Sequence, residues 1–364
     1  MAFSLFILGW IFVVGLVIGS FLNVVILRTV SGESIVLPPS KCPKCQNRLK
    51  WYHNIPLLSY LFLGGKCAYC KEHISWQYPF VEFFTGCMFL ALFLKICNPI
   101  DPLFGLSVMQ PIGWFQVLAY IFALIVTGLF IAIAGTDIIE KKVADAHTVP
   151  LISIGVIFSL LYTLASAYIY HKEGVSLNLG VKEILASPVV CSFVAGVVGF
   201  VVMEIVARLG YLIAGSRAFG EGDSYIAAGL GTVLAGLWAT TEPCSLMRAV
   251  LLMLFVLVLS VIIQVVVTTP LFLTKLVKNK NWTTFGSLIA FIIYTVSYIF
   301  ADKLNWLENP IAYWGSTIVL AMLGLFVCKE VLSGLKNKTT DGLYLPFGPA
   351  MIAAGFIIMF MMKY

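Results

Sequence analysis

The feature that most constrains this chain is a series of long apolar stretches that carry no charge. Residues 1–27 contain no Asp, Glu, Lys or Arg, and neither do residues 102–136 or 224–241. Only 11% of the 364 residues are charged, whereas soluble domains average about 25%. A helix needs about 20 apolar residues to cross a bilayer. We therefore expect an all-α polytopic membrane protein in contact with membrane lipid.

Ten apolar segments are candidate membrane spans. One of them is short and their ends are uncertain by a few residues, so we expect about eight to ten transmembrane helices. Residues 1–27 lack the basic start of a secretory signal peptide, which predicts a retained first helix. The ten segments are 1–27, 79–96, 113–136, 148–170, 185–213, 223–241, 247–274, 284–301, 311–328 and 346–362.

Lysine and arginine are distributed unevenly between alternate loops. The alternate loops that begin with residues 28–71 hold 17 of the 23 Lys and Arg residues. Such an excess is typical of cytoplasmic loops, so these loops are predicted to face the cytoplasm and both termini to lie outside. The net charge of +6 therefore reflects membrane topology, and it gives no reason to expect a nucleic-acid partner.

The polar loop of residues 28–78 contains four patterned cysteines. Cys42 and Cys45 form one C-x2-C pair, and Cys67 and Cys70 form a second pair after 21 intervening residues. Four thiolates in paired knuckles are typical of a closed, structural zinc site. Two disulfides or a redox relay are the alternatives. Disulfides require an oxidising compartment, and a cytoplasmic loop therefore favours the metal.

Two aspartates lie at the ends of predicted spans. Asp137 is the first charge after residues 102–136, and Asp223 directly precedes residues 224–241. The predicted topology puts both at the cytoplasmic face, where they could meet. Two carboxylates that share a site have pKa values pushed apart, so one can activate water while the other stays protonated. Alternatively, these acids line an ion path, or Asp223 is simply a helix N-cap.

Local patterns around Asp223 predict close packing. Gly220 and Gly222 permit positive φ and close approach of another chain. Glu204 precedes Arg208 by four residues, which favours an ion pair on one helix face. Small residues in two spans would let neighbouring helices approach closely. They are Gly15, Gly19 and Ser20 in the first span, and Ala227, Ala228, Gly229, Gly231, Ala235 and Gly236 in the sixth.

Taken in order, these motifs resemble the bacterial prepilin peptidases, the type IV leader peptidase family of GxGD aspartic proteases. The resemblance spans about residues 9–240. The matching segments are Gly19-Ser20-Phe21-Leu22-Asn23-Val24-Val25, Cys42-Pro43-x-Cys45, Trp51-Tyr52-x-Asn54-Ile55-Pro56, Gly65-Lys66-Cys67-x-x-Cys70, Ile74-Ser75, Tyr78-Pro79-x-Val81-Glu82, Asp137 with Val143 and Asp145, and Gly220-x-Gly222-Asp223.

The resemblance implies a bifunctional enzyme of the bacterial inner membrane. Such enzymes cut the basic leader from prepilins or pseudopilins after a glycine at the cytoplasmic face, and then methylate the new N-terminal amine with S-adenosylmethionine. It implies that Asp137 and Asp223 form the catalytic dyad. It also implies that the cysteine loop is a zinc domain linked to methyl transfer, and that Gly65 and Glu82 contribute to cofactor binding.

This interpretation divides the chain into four parts. They are the first helix (1–27), the zinc domain (28–78), the peptidase membrane core (79–274) and additional helices without an implied role (275–364). A peptidase whose methyltransferase has lapsed is the alternative within the family. A zinc or thiol transporter is a further alternative, but transporters carry polar residues near mid-membrane, whereas the charges here cluster at span ends.

Three positions depart from the family pattern. The family usually has proline where this chain has Ala144, and many members have a second aspartate where it has Ile139. A lysine is common where this chain has Tyr225. None of these changes removes a carboxylate of the predicted dyad, but they bear on loop geometry and on the type of substrate.

Overall fold

The computed structural model of the protein is mainly helical in the part of the chain that it describes, apart from the cysteine loop and short connections. It describes residues 2–37, 39–97, 114–140, 145–172, 184–214, 220–278, 280, 282–303, 315–316, 318–319, 322–323 and 346–362. In these ranges extended pairing is limited to two isolated bridges, Lys41 with Arg48 and Lys66 with His73. The helices are α1 (Ala2–Ser31), α2 (Leu58–Phe62), α3 (Gln77–Ile96), α4 (Trp114–Glu140), α5 (Asp145–Lys172), α6 (Pro188–Ala214), α7 (Glu221–Trp238), α8 (Leu246–Lys278), α9 (Trp282–Lys303) and α10 (Gly348–Met361), with a 3₁₀ helix at Trp51–Asn54.

The helices follow the predicted spans. Within the described part of the chain, six helices are long and apolar enough to cross a membrane, namely α1, α3, α4, α5, α6 and α8. Helices α9 and α10 contain shorter apolar segments, and α7 covers the predicted sixth span with 18 residues. The predicted span 311–328 lies mostly outside the described residues. The prediction of an all-α, multi-pass membrane protein is confirmed.

Helix α1 lies directly on α3 because glycines line the crossing. A Cβ added to Gly15 would overlap the Cα of Gly86, and one added to Gly19 would overlap the Cα of Glu82. The predicted close contact through these glycines is confirmed. Apolar side chains of α1, α3 and α4 form a buried cluster next to the crossing, made of Leu22, Val25, Ile26, Val81, Ile131 and Ala132.

Helix α7 is almost completely buried, in keeping with its many small residues. Its residues 226–237 are all buried. A Cβ on Gly229 would overlap Leu151 of α5, and a Cβ on Gly231 would overlap the backbone of Ala195 in α6. The predicted close packing of this helix is therefore confirmed, and α5 and α6 are the helices that it contacts in this way.

The last described helix, α10, belongs to the same compact unit as α4 and α7. The chain forms two compact units, one of Met1–Leu209, Phe219–Val261 and Pro346–Tyr364, the other of Gly210–Ala218 and Ile262–Leu345. In the first unit α10 contacts α4 and α7. In the second, the Tyr294 hydroxyl donates to the carbonyl of Ser316 at 3.2 Å. The four predicted domains stay predictions, but residues 275–364 do not form one packing group.

We expect Gly231→Ala to lower the unfolding temperature of the detergent-solubilised protein. The new methyl group would overlap the carbonyl of Ala195, and overpacking of a well-packed interior costs about 1–3 kcal/mol. Tryptophan fluorescence during heating measures the change. Gly286→Ala in α9 is the matched control, since no atom lies within 4 Å of the added Cβ. Equal unfolding temperatures for Gly231→Ala and the parent would contradict the tight contact.

Candidate functional site

Asp137 is buried in the last turn of α4. The helix continues to Glu140, beyond the predicted end at 136, so the carboxylate is carried by helix rather than by loop. Only 3% of the residue is exposed. Its Oδ2 atom is buried and makes no hydrogen bond of regular geometry. Gly348 at the start of α10 lies against this carboxylate, because a Cβ added to Gly348 would overlap Oδ2, and its backbone N–H is near the carboxylate.

Asp223 is buried in the first turn of α7, also with 3% exposure. Gly220 is the N-cap, and its N–H donates to Oδ2 of Asp223 at 3.0 Å. The alternative that Asp223 is itself the N-cap is therefore wrong. Asp223 is the third residue of the helix, and its side chain accepts a hydrogen bond from the N–H of the N-cap residue. Neither glycine uses the positive φ that it permits. Gly220 is extended at φ −63°, and Gly222 is part of the helix.

The start of α10 is the point at which the two aspartate-bearing helices converge. A Cβ on Gly348 would meet both Oδ2 of Asp137 in α4 and Cδ1 of Ile226 in α7. Ile226 lies three residues after Asp223, on the same helical turn. The structure thus brings Asp137 and the first turn of α7 to the same end of α10. The catalytic pairing of Asp137 with Asp223 stays a prediction.

Glu204 of α6 supports this end of α7. Its Oε1 atom accepts from Arg208 Nε at 2.9 Å, which confirms the predicted i,i+4 pair. Its Oε2 atom accepts from the hydroxyl of Ser224 at 3.3 Å. This second contact was not predicted, because no local spacing relates residues 20 positions apart. It fixes the turn of α7 that carries Asp223.

An apolar cavity of about 590 Å³ is lined by neighbours of Asp137 in sequence, although not by Asp137 itself. Gly135 and Ile138 of α4 line it on either side of the aspartate in sequence, and Pro349 lines it next to Gly348. Phe80 and Phe84 of α3 form another wall, while α1 contributes Ile26. Ligand pockets have volumes of roughly 300–1,000 Å³, so this cavity is large enough to receive apolar side chains of a substrate.

The four patterned cysteines form one cluster. Their Sγ atoms all lie within 4.8 Å of one another, and those of Cys42 and Cys70 are 3.9 Å apart. Tetrahedral zinc with Zn–S bonds of about 2.3 Å places its sulfurs about 3.8 Å apart. All four cysteines are free thiols, so the arrangement fits one four-coordinate zinc ion better than two disulfides.

The two C-x2-C segments form the same knuckle twice. The N–H of Cys42 donates to the carbonyl of Asn47 at 3.0 Å, and that of Cys67 donates to the carbonyl of Glu72 at 2.8 Å. The fourth residue after the first cysteine has a positive φ in each knuckle, 57° and 61°. Each loop therefore turns back on itself and presents its two thiols from one side.

Backbone N–H groups within the second knuckle favour the thiolate. The N–H groups of Cys70 and then Tyr69 point at the sulfur of Cys67 and lower the pKa of this thiol to about 6. Metal ligands of this type must be deprotonated before they bind. The folded knuckle therefore favours the thiolate form of Cys67, whereas the neighbouring sulfurs of the cluster raise the pKa of the Cys70 thiol.

Glu82 connects the cysteine loop to the membrane helices. The residue is 8% exposed in α3, and its Oε2 accepts from the N–H of Leu57 at 2.8 Å. Leu57 precedes α2 with φ of 59°, a conformation that a bulky side chain rarely adopts. Nearby, the Asn23 amide of α1 donates to the carbonyl of Tyr78 at 3.1 Å. The contact of Glu82 with Leu57 holds the loop against α3, and that of Asn23 with Tyr78 joins α1 to the start of α3.

Gly65 is required by the backbone of the same loop. It has φ of 68°, and an added Cβ would overlap the hydroxyl of Tyr60. Its carbonyl accepts from the N–H of Ile74 at 2.8 Å. Gly65 and Glu82 therefore both have structural roles in the loop. Their predicted contact with S-adenosylmethionine stays a prediction.

Gly348 is the site residue that the sequence analysis missed. It lies in a part of the chain, residues 275–364, for which no role was predicted. A signal was present, because Pro346-Phe347-Gly348-Pro349 directly precedes an uncharged apolar run. Proline in the first helical turn marks a helix start, but it does not reveal which side chain that helix start meets.

These features define a class: a multi-pass helical membrane protein with one buried aspartate at the end of α4, a second at the start of α7, and a four-cysteine domain. The family model for the bacterial peptidase A24 N-terminal domain matches residues 13–96 of the sequence. The chain is 30% identical over 243 residues to a prepilin leader peptidase/N-methyltransferase of Dickeya chrysanthemi, which covers 60% of this chain and 72% of that protein. It is 31% identical over 233 residues to one of Klebsiella pneumoniae, covering 62% and 84%.

The chain belongs to the bacterial prepilin leader peptidase/N-methyltransferase family. A relative of the same name from Myxococcus xanthus is 32% identical over 225 residues, which is 62% of this chain but 55% of the relative. The chain thus matches only about half the length of that relative. No solved structure matches it.

We expect Cys42→Ser and Cys67→Ser each to lose bound zinc, because each removes one of four thiolates from a closed site. Metal analysis of the purified membrane protein by mass spectrometry gives the zinc-to-protein ratio. Cys87→Ser is the matched control, since this cysteine lies in α3 outside the cluster. Parent-level zinc in both cluster variants would exclude the metal site.

We expect Glu82→Ala to make the cysteine loop more sensitive to trypsin, which cleaves after its exposed lysines. The substitution leaves the Leu57 N–H without its acceptor, at a cost of about 1–3 kcal/mol. Glu82→Gln is the matched control, because its amide oxygen can still accept this hydrogen bond. Equal digestion rates for Glu82→Ala and the parent would show that Glu82 does not hold the loop.

Proposed function

We propose that this protein cleaves the leader from prepilins or pseudopilins with Asp137 and Asp223, and then methylates the new N-terminal amine. Membership of the family supports both reactions. The observation that carries the peptidase assignment is that Asp137 and Asp223 are each 3% exposed, and that Gly348 at the start of α10 meets both Asp137 and Ile226, which lies three residues after Asp223. A buried carboxylate is costly in a membrane protein, and function is the usual reason for its presence.

The two carboxylates together supply a base and an acid. One is ionised and takes a proton from a water molecule as the water oxygen attacks the scissile carbonyl carbon. The other is protonated and donates to the carbonyl oxygen, where negative charge develops. When the C–N bond breaks, the departing amine takes a proton from the carboxyl group that removed it from water. The dyad titrates as a coupled pair, and either aspartate can take either role by position.

The apolar cavity accounts for the type of substrate. A prepilin joins a basic leader to an apolar helix, and the cleaved bond lies between them. The apolar part fits the cavity formed by α1, α3, α4 and α10, whose lining is dominated by apolar side chains. The leader then extends toward the cytoplasmic loops. In this arrangement the scissile bond lies at the level of Asp137.

Methyl transfer is assigned to the cysteine domain, with a structural zinc ion on Cys42, Cys45, Cys67 and Cys70. Zinc fits the tetrahedral sulfur arrangement and holds the two knuckles together. S-adenosylmethionine, when bound, supplies the methyl group to the free amine. The contact of Glu82 with Leu57 keeps this domain at the membrane surface, next to the end of α1 that leads into it. The new N-terminus therefore needs to move only a short way between sites.

We expect Asp137→Asn and Asp223→Asn each to abolish cleavage, with losses on the order of 10²–10⁴-fold, because each removes one acid–base group. Mass spectrometry of a prepilin from the same genome, co-expressed with each variant, measures the product. Glu140→Gln is the matched control, since this acid is exposed in the same turn as Asp137. It should leave cleavage unchanged.

The product mass separates the remaining alternatives. A substrate shortened after the leader glycine and heavier by one methyl group supports both activities. A shortened, unmethylated product supports a peptidase with a lapsed methyltransferase. Substantial cleavage by either Asn variant would refute the dyad, and an uncut substrate with the parent protein would refute the peptidase assignment.

A further inference from the structure

The start of α10 presents the backbone N–H group of Gly348 to Asp137. Ala350 and Met351 both donate their N–H to the carbonyl of Phe347, at 3.1 and 3.2 Å. Pro349 has no N–H. Among residues 348–351, Gly348 is thus the one whose N–H is not used within the helix start, and this residue lies against the Asp137 carboxylate. In the sequence Gly348-Pro349, proline contributes no N–H group and glycine places its own N–H group near the Asp137 carboxylate.

Glycine is needed at this position because of the distance of approach. An added Cβ would overlap Oδ2 of Asp137 and would crowd Cδ1 of Ile226. Any other residue would have to push α10 away from α4, from α7, or from both. The absence of a side chain therefore sets how closely the helix start approaches the carboxylate.

The buried Asp137 carboxylate does not use its full capacity to accept hydrogen bonds. Its Oδ2 atom is buried without a hydrogen bond of regular geometry, although a carboxylate can accept about four hydrogen bonds. A buried polar atom in this state is rare in native proteins and points to a further partner. Water is the partner that the proposed reaction requires at this position. The helix start also carries partial positive charge, which favours a negative group.

We propose that Gly348 is a positioning residue for the peptidase reaction, fixing the Asp137 carboxylate through the start of α10. This inference rests on the proposed function of Asp137. It assigns a role to a segment about 210 residues away in sequence. Gly348 does not touch the substrate in this assignment. It acts through Asp137, and its effect is on the chemical step rather than on substrate binding.

Gly355 offers a control within the same helix. An added Cβ there would overlap Leu230 of α7 and Phe130 of α4, so it also disturbs the packing of α10. It lies two helical turns from Gly348, and its neighbours are apolar. A purely structural role for α10 predicts that Gly348→Ala and Gly355→Ala have similar effects. The positioning role predicts that they differ.

The experiment compares the parent, Gly348→Ala and Gly355→Ala as full-length purified enzymes that cleave a prepilin from the same genome. We expect Gly348→Ala to lower kcat about 10- to 100-fold, as misplacement of a catalytic group does, with KM unchanged. Gly355→Ala should lower the unfolding temperature and leave kcat per folded enzyme unchanged. Parent-like kcat in Gly348→Ala, or an equal loss in Gly355→Ala, would overturn the proposal.

A second measurement does not depend on activity. The change in unfolding temperature that Gly348→Ala causes is measured in the parent protein and in the Asp137→Ala variant. This variant lacks the carboxylate that the added methyl group would meet. Residues in contact show non-additive effects, so Gly348→Ala should destabilise the Asp137→Ala protein less than the parent. Additive effects would refute the contact itself. If the parent protein does not cleave the prepilin but the effects of the two substitutions are still non-additive, only the proposed function is refuted.

Discussion

The close approach of helices through glycine and other small residues is the constraint on which the rest of this structure depends. Helices in lipid gain little from the hydrophobic effect when they associate, so their stability comes from packing at short range. Gly15 and Gly19 place α1 on α3, and Gly231 places α7 on α6. Gly348 does the same for α10 and α4, but there the helix meets a carboxylate instead of an apolar neighbour.

Buried carboxylates follow a common rule in this protein. Each of three lies at the start of a helix: Asp223 accepts from the N–H of Gly220, Glu82 accepts from the N–H of Leu57, and Asp137 lies against Gly348. The first N–H groups of a helix lack partners within it. A carboxylate that would be costly to bury alone therefore supplies the hydrogen-bond acceptor that the N–H groups at a helix start lack. This explains why these acids lie at helix ends rather than in the middle of spans.

The sequence predicted the parts of the structure that are encoded locally or by composition. Apolar runs predicted the helices, the spacing of Cys42 to Cys70 predicted one cluster, and the four-residue spacing predicted the pair of Glu204 with Arg208. Contacts between distant segments could not be predicted in this way. Nothing in the local sequence indicates that Glu204 also contacts Ser224 or that Gly348 meets Asp137. The helical backbone at Gly222 was also unpredictable, because glycine permits several conformations and the start of α7 decides which is used.

The two proposed activities rest on different supports, although they share one end of the protein. Asp137 depends on α4 and on the start of α10, whereas the cysteine domain depends on α3 through Glu82, and α3 is joined to α1 through Asn23. Helix α1 is the common element, since it packs against both α3 and α4. A change that loosens the cysteine domain without moving α1 would leave Asp137 in place. A change at the glycines of α1 would instead disturb both sites, because these residues set the position of α3, from which the loop is held.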